Sequence, residues 1–112
     1  MKIYEIKNID CNNKKERIIL VKEVMKVLKT DKKPEINELK EICKKIDSKY
    51  GIRIKYYEVR DRNIQVNIEF ERGSHSIFYA NSRYELFCKF ILIAKELLKQ
   101  KRMIEYVKNN EY

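Results

Sequence analysis

The chain has little glycine and proline, with two Gly and one Pro among its 112 residues. Few turns are therefore demanded, and a disordered chain is disfavoured. Long apolar runs are also missing, because the longest, at 90–94, is far shorter than a membrane span. Residues 1–7 contain no apolar signal-peptide core. We therefore expect a soluble cytoplasmic protein without a membrane partner.

Cysteine and histidine are too few and too scattered to build a metal centre. Three cysteines and one histidine occur, and there is no CxxC pair or Cys/His cluster to bind zinc. Cys43 and Cys88 fall on apolar helix faces and are interpreted as small hydrophobic residues, whereas Cys11 could be exposed. Free thiols are typical of a reducing cytoplasm. No cofactor, metal ion or disulfide framework is expected.

Charge is what the chain has in excess. Lys and Arg number 26 against 17 Asp and Glu, which gives a formal net charge of +9. A domain this basic favours polyanionic partners, because Lys and Arg that neutralise phosphates release counterions. Lys greatly outnumbers Arg, and Ile, Asn and Tyr are abundant, so part of the charge can reflect AT-rich coding DNA.

Apolar residues at helical spacing predict two helices in the first half of the chain. Asn12 or Asn13 caps the first, which runs to about Lys29. Its apolar stripe is Ile18, Val21, Met25 and Leu28, widened by Leu20, Val24 and Val27. Pro34 suits the first turn of the second, and Gly51 follows its end. Two consecutive helices with a short polar joint predict an αα-hairpin.

The last helix is predicted to be the buried centre of the fold. It begins at Asn81 or Ser82, and Ser82 and Glu85 have the spacing of a capping box. Its residues are apolar around nearly the whole circumference, interrupted early by Glu85 and Lys89, which can form an i,i+4 pair. Residues 103–112 are predicted to be an extended helical tail.

The middle of the chain changes from helical to alternating periodicity, which predicts three strands. They are placed at Ile64–Glu71, Ile52–Tyr56 and Ser76–Ala80, with turns at 61–63 and 73–75. A hairpin centred on residue 62 would pair Ile54 with Phe70, Tyr56 with Ile68, Arg53 with Glu71 and Lys55 with Glu69.

These elements predict a single α+β domain over residues 1–112. Residues 2–7 could form a short edge strand ahead of the helices, so the order is (β)-α-α-β-β-β-α. The helices are expected to cover one face of the antiparallel three-stranded sheet.

The candidate phosphate-binding residues fall into three groups. The first is a stripe on one face of the first helix: Lys15, Lys22, Lys26 and Lys29. The second is Arg83 in the first turn of the last helix, where free backbone N–H groups attract phosphate. The third is Arg60 and Arg62 at a hairpin tip, near Tyr56 or Tyr57, which could stack on a base. A solvated helix face and a plain helix cap explain the first two equally simply.

No catalytic constellation is visible. His75 beside Ser74 in a predicted turn has no oxyanion glycine elbow, and we interpret it as a solvated turn residue. Asp61, Glu69 and Glu71 could hold a metal ion, but the predicted register gives both glutamates basic partners. We therefore expect the protein not to be an enzyme.

The α-β-β-β-α order from residue 35 onward resembles the topology of double-stranded RNA-binding domains. Those domains begin the last helix with a lysine-rich phosphate clamp, where this chain has Ser82, Arg83, Tyr84 and Glu85, with one basic residue. With a strand at 2–7, the order also resembles the small basic toxins that cleave messenger RNA on the ribosome. Their basic and aromatic active-site residues have no counterpart here, and topology alone does not define a function.

Three functions are compatible with these features. The first is a non-enzymatic accessory protein of bacterial or phage or mobile-element type that binds DNA or RNA with steep salt dependence. The second is a protein-binding inhibitor or adaptor, for example an anti-CRISPR-like phage protein that meets a nucleic-acid-binding complex. The third is an RNA-cleaving toxin of the small basic type. Homodimerisation through a sheet edge or the apolar tail is left open.

Overall fold

The computed structural model describes residues 1–58, 63–71 and 73–110, without the side chains of 74–76 and 103–110. Within these residues it contains four helices and a three-stranded antiparallel sheet. The elements are α1 Ile3–Lys7, α2 Lys14–Leu28, α3 Ile36–Tyr50, β1 Ile52–Glu58, β2 Ile64–Phe70, β3 Gly73–Ala80 and α4 Arg83–Asn110. The predicted α+β class is confirmed, and so is the order α-α-β-β-β-α for the elements from α2 to α4.

The edge strand predicted at residues 2–7 is wrong, because this segment forms the short helix α1. Ile3 and Ile6 are three residues apart, and Ile6 and the following Ile9 are buried against the core. In so short a segment, alternation and helical periodicity cannot be told apart. Packing against α4 decides the conformation.

The predicted ends of α2 and α3 are largely confirmed. The side chain of Asn13 accepts hydrogen bonds from two backbone N–H groups of the first turn of α2, at 3.0 and 3.4 Å. Gly51 ends α3 in the left-handed conformation with φ of 67°, which is favourable for a residue without Cβ. Pro34 lies just before the N-cap residue Glu35 and not within the first turn.

The buried face of α2 is rotated from the predicted one. Leu20 and Val24, predicted only to widen the stripe, are buried, whereas Ile18, one of its four main residues, is 43% exposed. The apolar residues of α2 cover more than half of its circumference. Periodicity alone therefore does not identify which edge of the stripe packs against α4.

The sheet has the order β1-β2-β3, with β2 in the centre. The predicted β1–β2 register is wrong by two residues, because Ile54 pairs with Ile68 and not with Phe70. A two-residue slip leaves every side chain on the same face, so the alternation cannot detect it. Lys55 still reaches Glu69, diagonally, at 3.0 Å.

The connection between β2 and β3 is shorter than predicted. The turn predicted at 73–75 is wrong, because Gly73 is already in β3 and pairs with Phe70. Glu71, placed in the strand by its alternation, instead follows β2 with a left-handed φ of 60°. Such a φ is typical of the two-residue loops that match the twist of a hairpin.

Helix α4 is the centre of the fold, as predicted. It contacts α1, α2 and α3 as well as β2 and β3, and every side chain from Glu85 to Ala94 is buried. The hydroxyl of Ser82 accepts the N–H of Glu85 at 3.1 Å, which confirms the predicted cap. The inner face of the sheet covers one side of α4 with apolar residues.

The predicted pair of Glu85 and Lys89 is present and lies inside the core. The ammonium of Lys89, 1% exposed, is 3.0 Å from Glu85 Oε1. It also donates to the carbonyl oxygens of Ile9 at 2.8 Å and Lys7 at 3.1 Å. Glu85 Oε2 accepts the N–H of Asn81 at 2.6 Å. The buried charges are therefore paired and hydrogen-bonded, as burial requires.

We predict that Lys89→Met lowers the free energy of unfolding by about 3–5 kcal/mol, because Glu85 would remain buried without its counterion. Urea denaturation measures the change. The double variant Glu85→Gln, Lys89→Met should be less destabilised than Lys89→Met alone. The control Lys22→Met, at an exposed helical position, should stay within about 0.5 kcal/mol of the parent. An equal loss in both Lys→Met variants would contradict the prediction.

Candidate nucleic-acid interface

The outer face of the sheet carries aromatic side chains where solvent-facing positions would ordinarily be polar. Tyr57, Gln65 and Tyr79 lie side by side across the three strands, because Gln65 pairs with both tyrosines. The next row consists of Lys55, Asn67 and Ile77. Directly paired residues project from the same face of a sheet. These six residues and Arg53, which is paired with Glu69, are called the open face below.

The apolar members of the open face are strongly exposed. Tyr57 is 55%, Ile77 55% and Tyr79 59% exposed. By contrast, Tyr56, on the opposite face of β1, packs edge-on against the ring of Phe87 in α4, with ring centroids 6.4 Å apart. The side of the sheet that faces α4 is therefore filled, while the open face presents two aromatic rings to solvent.

Polar and basic groups surround the two tyrosines. Gln65 and Asn67 supply side-chain amides between the two edge strands, and Lys55 forms a 3.0 Å ion pair with Glu69. Arg53 lies 3.7 Å from Asp47 of α3. Both ion pairs are solvent-exposed, and such pairs contribute about 0–1 kcal/mol. A phosphate can therefore replace either carboxylate at small cost.

The predicted lysine stripe is present on α2 and C-cap residue Lys29. All four of its side chains are exposed: Lys15, Lys22, Lys26 and Lys29. Lys26 pairs with Glu23 at 3.2 Å. α2 packs against α4, so the stripe and the open face belong to different layers of the molecule.

The predicted phosphate site at the start of α4 is partly filled by the protein itself. Arg83 is exposed, but the N–H groups of Asn81 and Glu85 are already bonded to side chains of this helix end. Arg60 and Arg62, the third predicted group, lie outside the described residues. The structure therefore locates only the first two of the three predicted groups, on α2 and at the start of α4.

Of the candidate catalytic groups, the structure describes the side chains of Glu69 and Glu71. Glu69 and Glu71 are bound to Lys55 and Lys101, while Asp61 and the side chain of His75 are outside the described residues. In the described part of the chain, no group of three or more His, Cys, Asp or Glu residues could hold a metal ion.

The thiols are held in their protonated form. Cys43 and Cys88 are buried as predicted, and burial raises the pKa of each to about 12. Cys11 is half-buried, and burial followed by the nearby Glu85 carboxylate raises its pKa to about 12 as well. A protonated thiol is a poor nucleophile, so none of the three is activated.

The fold and the open face define a class: an α+β protein whose helices cover one side of a small sheet and leave the other exposed. No helix in the described residues is long and apolar enough to cross a bilayer. No family model, curated protein or solved structure matches the chain significantly.

The open face could be anticipated only in part. The sequence predicts Tyr56 or Tyr57 as the aromatic residue beside Arg60 and Arg62, and of these two only Tyr57 lies on the open face. The sequence patterns single out neither Tyr79 nor Gln65. The available signal was the alternation of β3, in which Ile77 and Tyr79 occupy the phase opposite to Phe78 and Ala80. Large side chains in the outward phase indicate a surface that is not merely solvated.

Tyr84, next to Arg83, connects the start of α4 to the α2–α3 joint. Its hydroxyl donates to the carbonyl oxygen of Pro34 at 2.6 Å, and the ammonium of Lys33 lies 5.2 Å from the ring centroid. Burial raises the pKa of Tyr84 to about 12 from 10.0. A folded-state pKa above the unfolded value favours folding below pH 10, and this contribution is lost as pH rises through 12.

We predict that Tyr84→Phe is about 1 kcal/mol less stable than the parent at neutral pH, because one hydrogen bond is lost. The variant should also lose less stability between pH 10 and pH 12, since it lacks this phenol. Thermal unfolding across that range measures both effects. Tyr4→Phe, at a 61% exposed position, should follow the parent curve. The prediction would be contradicted if the parent and Tyr84→Phe lost the same stability between pH 10 and pH 12.

Proposed function

We propose that the protein is a non-enzymatic accessory protein that binds single-stranded nucleic acid on the open face of its sheet. The observation that carries this proposal is the pair of exposed tyrosines, Tyr57 and Tyr79, on either side of Gln65. Proteins that bind single strands commonly stack unpaired bases on aromatic residues of a sheet.

The spacing of the two rings suits an extended strand. Tyr57 and Tyr79 are separated by one intervening strand, so their backbones lie about 10 Å apart. A base can stack on each ring, while the amide of Gln65 between them can hydrogen-bond to a base edge. A regular duplex would not present its bases in this way, which favours single strands over double-stranded RNA or DNA.

Basic residues on and beside the face would contact the phosphates. Lys55 and Arg53 lie along β1 with Tyr57, and Arg60 and Arg62 follow Tyr57 closely in sequence. The ion-pair partners of Arg53 and Lys55 are exposed carboxylates that a phosphate can replace. The net charge of +9 adds a general attraction that steers the strand to the protein and weakens with salt.

Binding in this proposal involves no bond cleavage. The thiols have raised pKa values, and the carboxylate of Glu71 is paired with Lys101. Three free cysteines suit a reducing compartment such as the cytoplasm. An origin in a bacterium, phage or mobile element remains part of the proposal.

We predict that the parent protein binds fluorescein-labelled single-stranded RNA or DNA more tightly than the matching duplexes. Replacing Tyr57 or Tyr79 with Ala should weaken single-strand binding about 5- to 150-fold, since each stacked base contributes about 1–3 kcal/mol. Fluorescence anisotropy at low and physiological salt measures both. The labelled RNA should remain intact throughout, as judged by gel electrophoresis.

Two controls separate stacking from charge. Tyr4→Ala removes an exposed tyrosine of α1 and should leave binding unchanged. A variant with Lys15, Lys22, Lys26 and Lys29 changed to Gln has a smaller net charge and should bind less at low salt. At physiological salt it should lose affinity only if α2 contacts phosphates. Duplex preference, or full binding by the tyrosine variants, would reject the open face as the site.

A further inference from the structure

A second surface lies among the helices and is not part of the open face. α2 and α3 each pack against α4 but hardly contact one another, which leaves a groove between them. Its volume is about 640 Å³. Its apolar lining residues come from all three helices: Val27, Leu28, Ile42, Ile46, Ile91, Ala94 and Leu98.

One side of this groove carries a row of positive charge. Lys95, Lys99 and Arg102 of α4 line it, and all three are exposed. They are four and three residues apart, so they lie along one face of α4 over about 10 Å. None of them forms an ion pair with any residue whose side chain is described. The groove is therefore apolar inside with unneutralised cations along its rim.

We propose that this groove binds an acidic amphipathic helix of a partner protein. Apolar side chains at i, i+3, i+4 and i+7 of such a helix would enter the groove. Acidic residues along its flank, with the same spacing as Lys95, Lys99 and Arg102, would face the three cations. Charge complementarity of this kind sets the orientation and raises the association rate.

The row of charges distinguishes this occupant from others. The single carboxylate of a fatty acid would neutralise one of the three cations and leave the other two. A nucleic acid would satisfy the cations, but the polar edges of its bases would find no hydrogen-bonding partner among the apolar lining residues. A helix with several carboxylates beside an apolar stripe can pack against the apolar lining and pair with the three cations at once. We therefore assign the groove to such a helix.

The test uses a synthetic fluorescein-labelled peptide of about five helical turns, or about 18 residues. Leu occupies its i, i+3, i+4 and i+7 positions and Glu occupies the flanks. We expect the parent protein to bind it with micromolar affinity in an anisotropy titration. A peptide of the same composition in scrambled order should bind at least tenfold more weakly.

Charge reversal provides the decisive variant. Changing Lys95, Lys99 and Arg102 to Glu should weaken binding of the acidic peptide at least tenfold and allow binding of a version with Lys in place of Glu. The matched control changes Lys22, Lys26 and Lys29 to Glu. These residues have the same spacing and exposure but lie on the side of α2 away from Val27 and Leu28, so peptide binding should be kept.

The apolar floor is tested by Ile42→Ser, at a half-buried position, with circular dichroism to verify folding. This substitution should weaken peptide binding about tenfold.

Three results would overturn the proposal. They are no peptide binding up to about 1 mM, equal loss of binding in both charge-reversal variants, and equal binding of the scrambled and ordered peptides. Dodecanoate binding without peptide binding, or a stable homodimer in sedimentation that buries the groove, would also overturn it. Ala at Tyr57 and Tyr79 should leave peptide binding intact, which separates this proposal from the one on nucleic acid.

Discussion

The buried ammonium of Lys89 is the constraint on which the position of α1 and of the segment after it depends. A charge at the centre of an apolar helix is tolerated only when it is fully bonded. Glu85 supplies the counterion, and the carbonyl oxygens of Lys7 and Ile9 supply the remaining acceptors. These bonds hold the end of α1 and the segment after it against α4. The bond from Lys89 to Ile9 joins residues that are 80 positions apart in the sequence.

The central position of α4 explains both surfaces discussed above. Because α4 is apolar on nearly all sides, it can be covered by the sheet on one side and by three helices on the others. The helices then have no need to cover the second face of the sheet, which stays open. α2 and α3 meet α4 and hardly meet each other, so a groove is left between them. The open face carries aromatic, amide and basic side chains, whereas the groove is apolar with basic side chains along one side.

Prediction from sequence succeeded where the signal is local. The cap at Asn13 and the stop at Gly51 are each decided by one residue and its neighbours. The β1–β2 register was missed because a two-residue slip preserves the faces. From the sequence, the candidate site is predicted as three separate basic groups, and only Arg60 and Arg62 are placed near Tyr56 or Tyr57. Tyr79 was missed, since its position beside Gln65 depends on strand pairing.

The sequence by itself determined the class of fold, the order from α2 onward and the central role of α4, because periodicity, caps and an all-round apolar helix are properties of local segments. Tertiary structure decided the rest. It made residues 3–7 helical by packing them on α4, buried Lys89 with its partners, and set Tyr57 and Tyr79 on one exposed face. These outcomes depend on which distant segments of the chain come into contact. Neither the amino-acid composition nor the hydrophobic periodicity specifies those contacts.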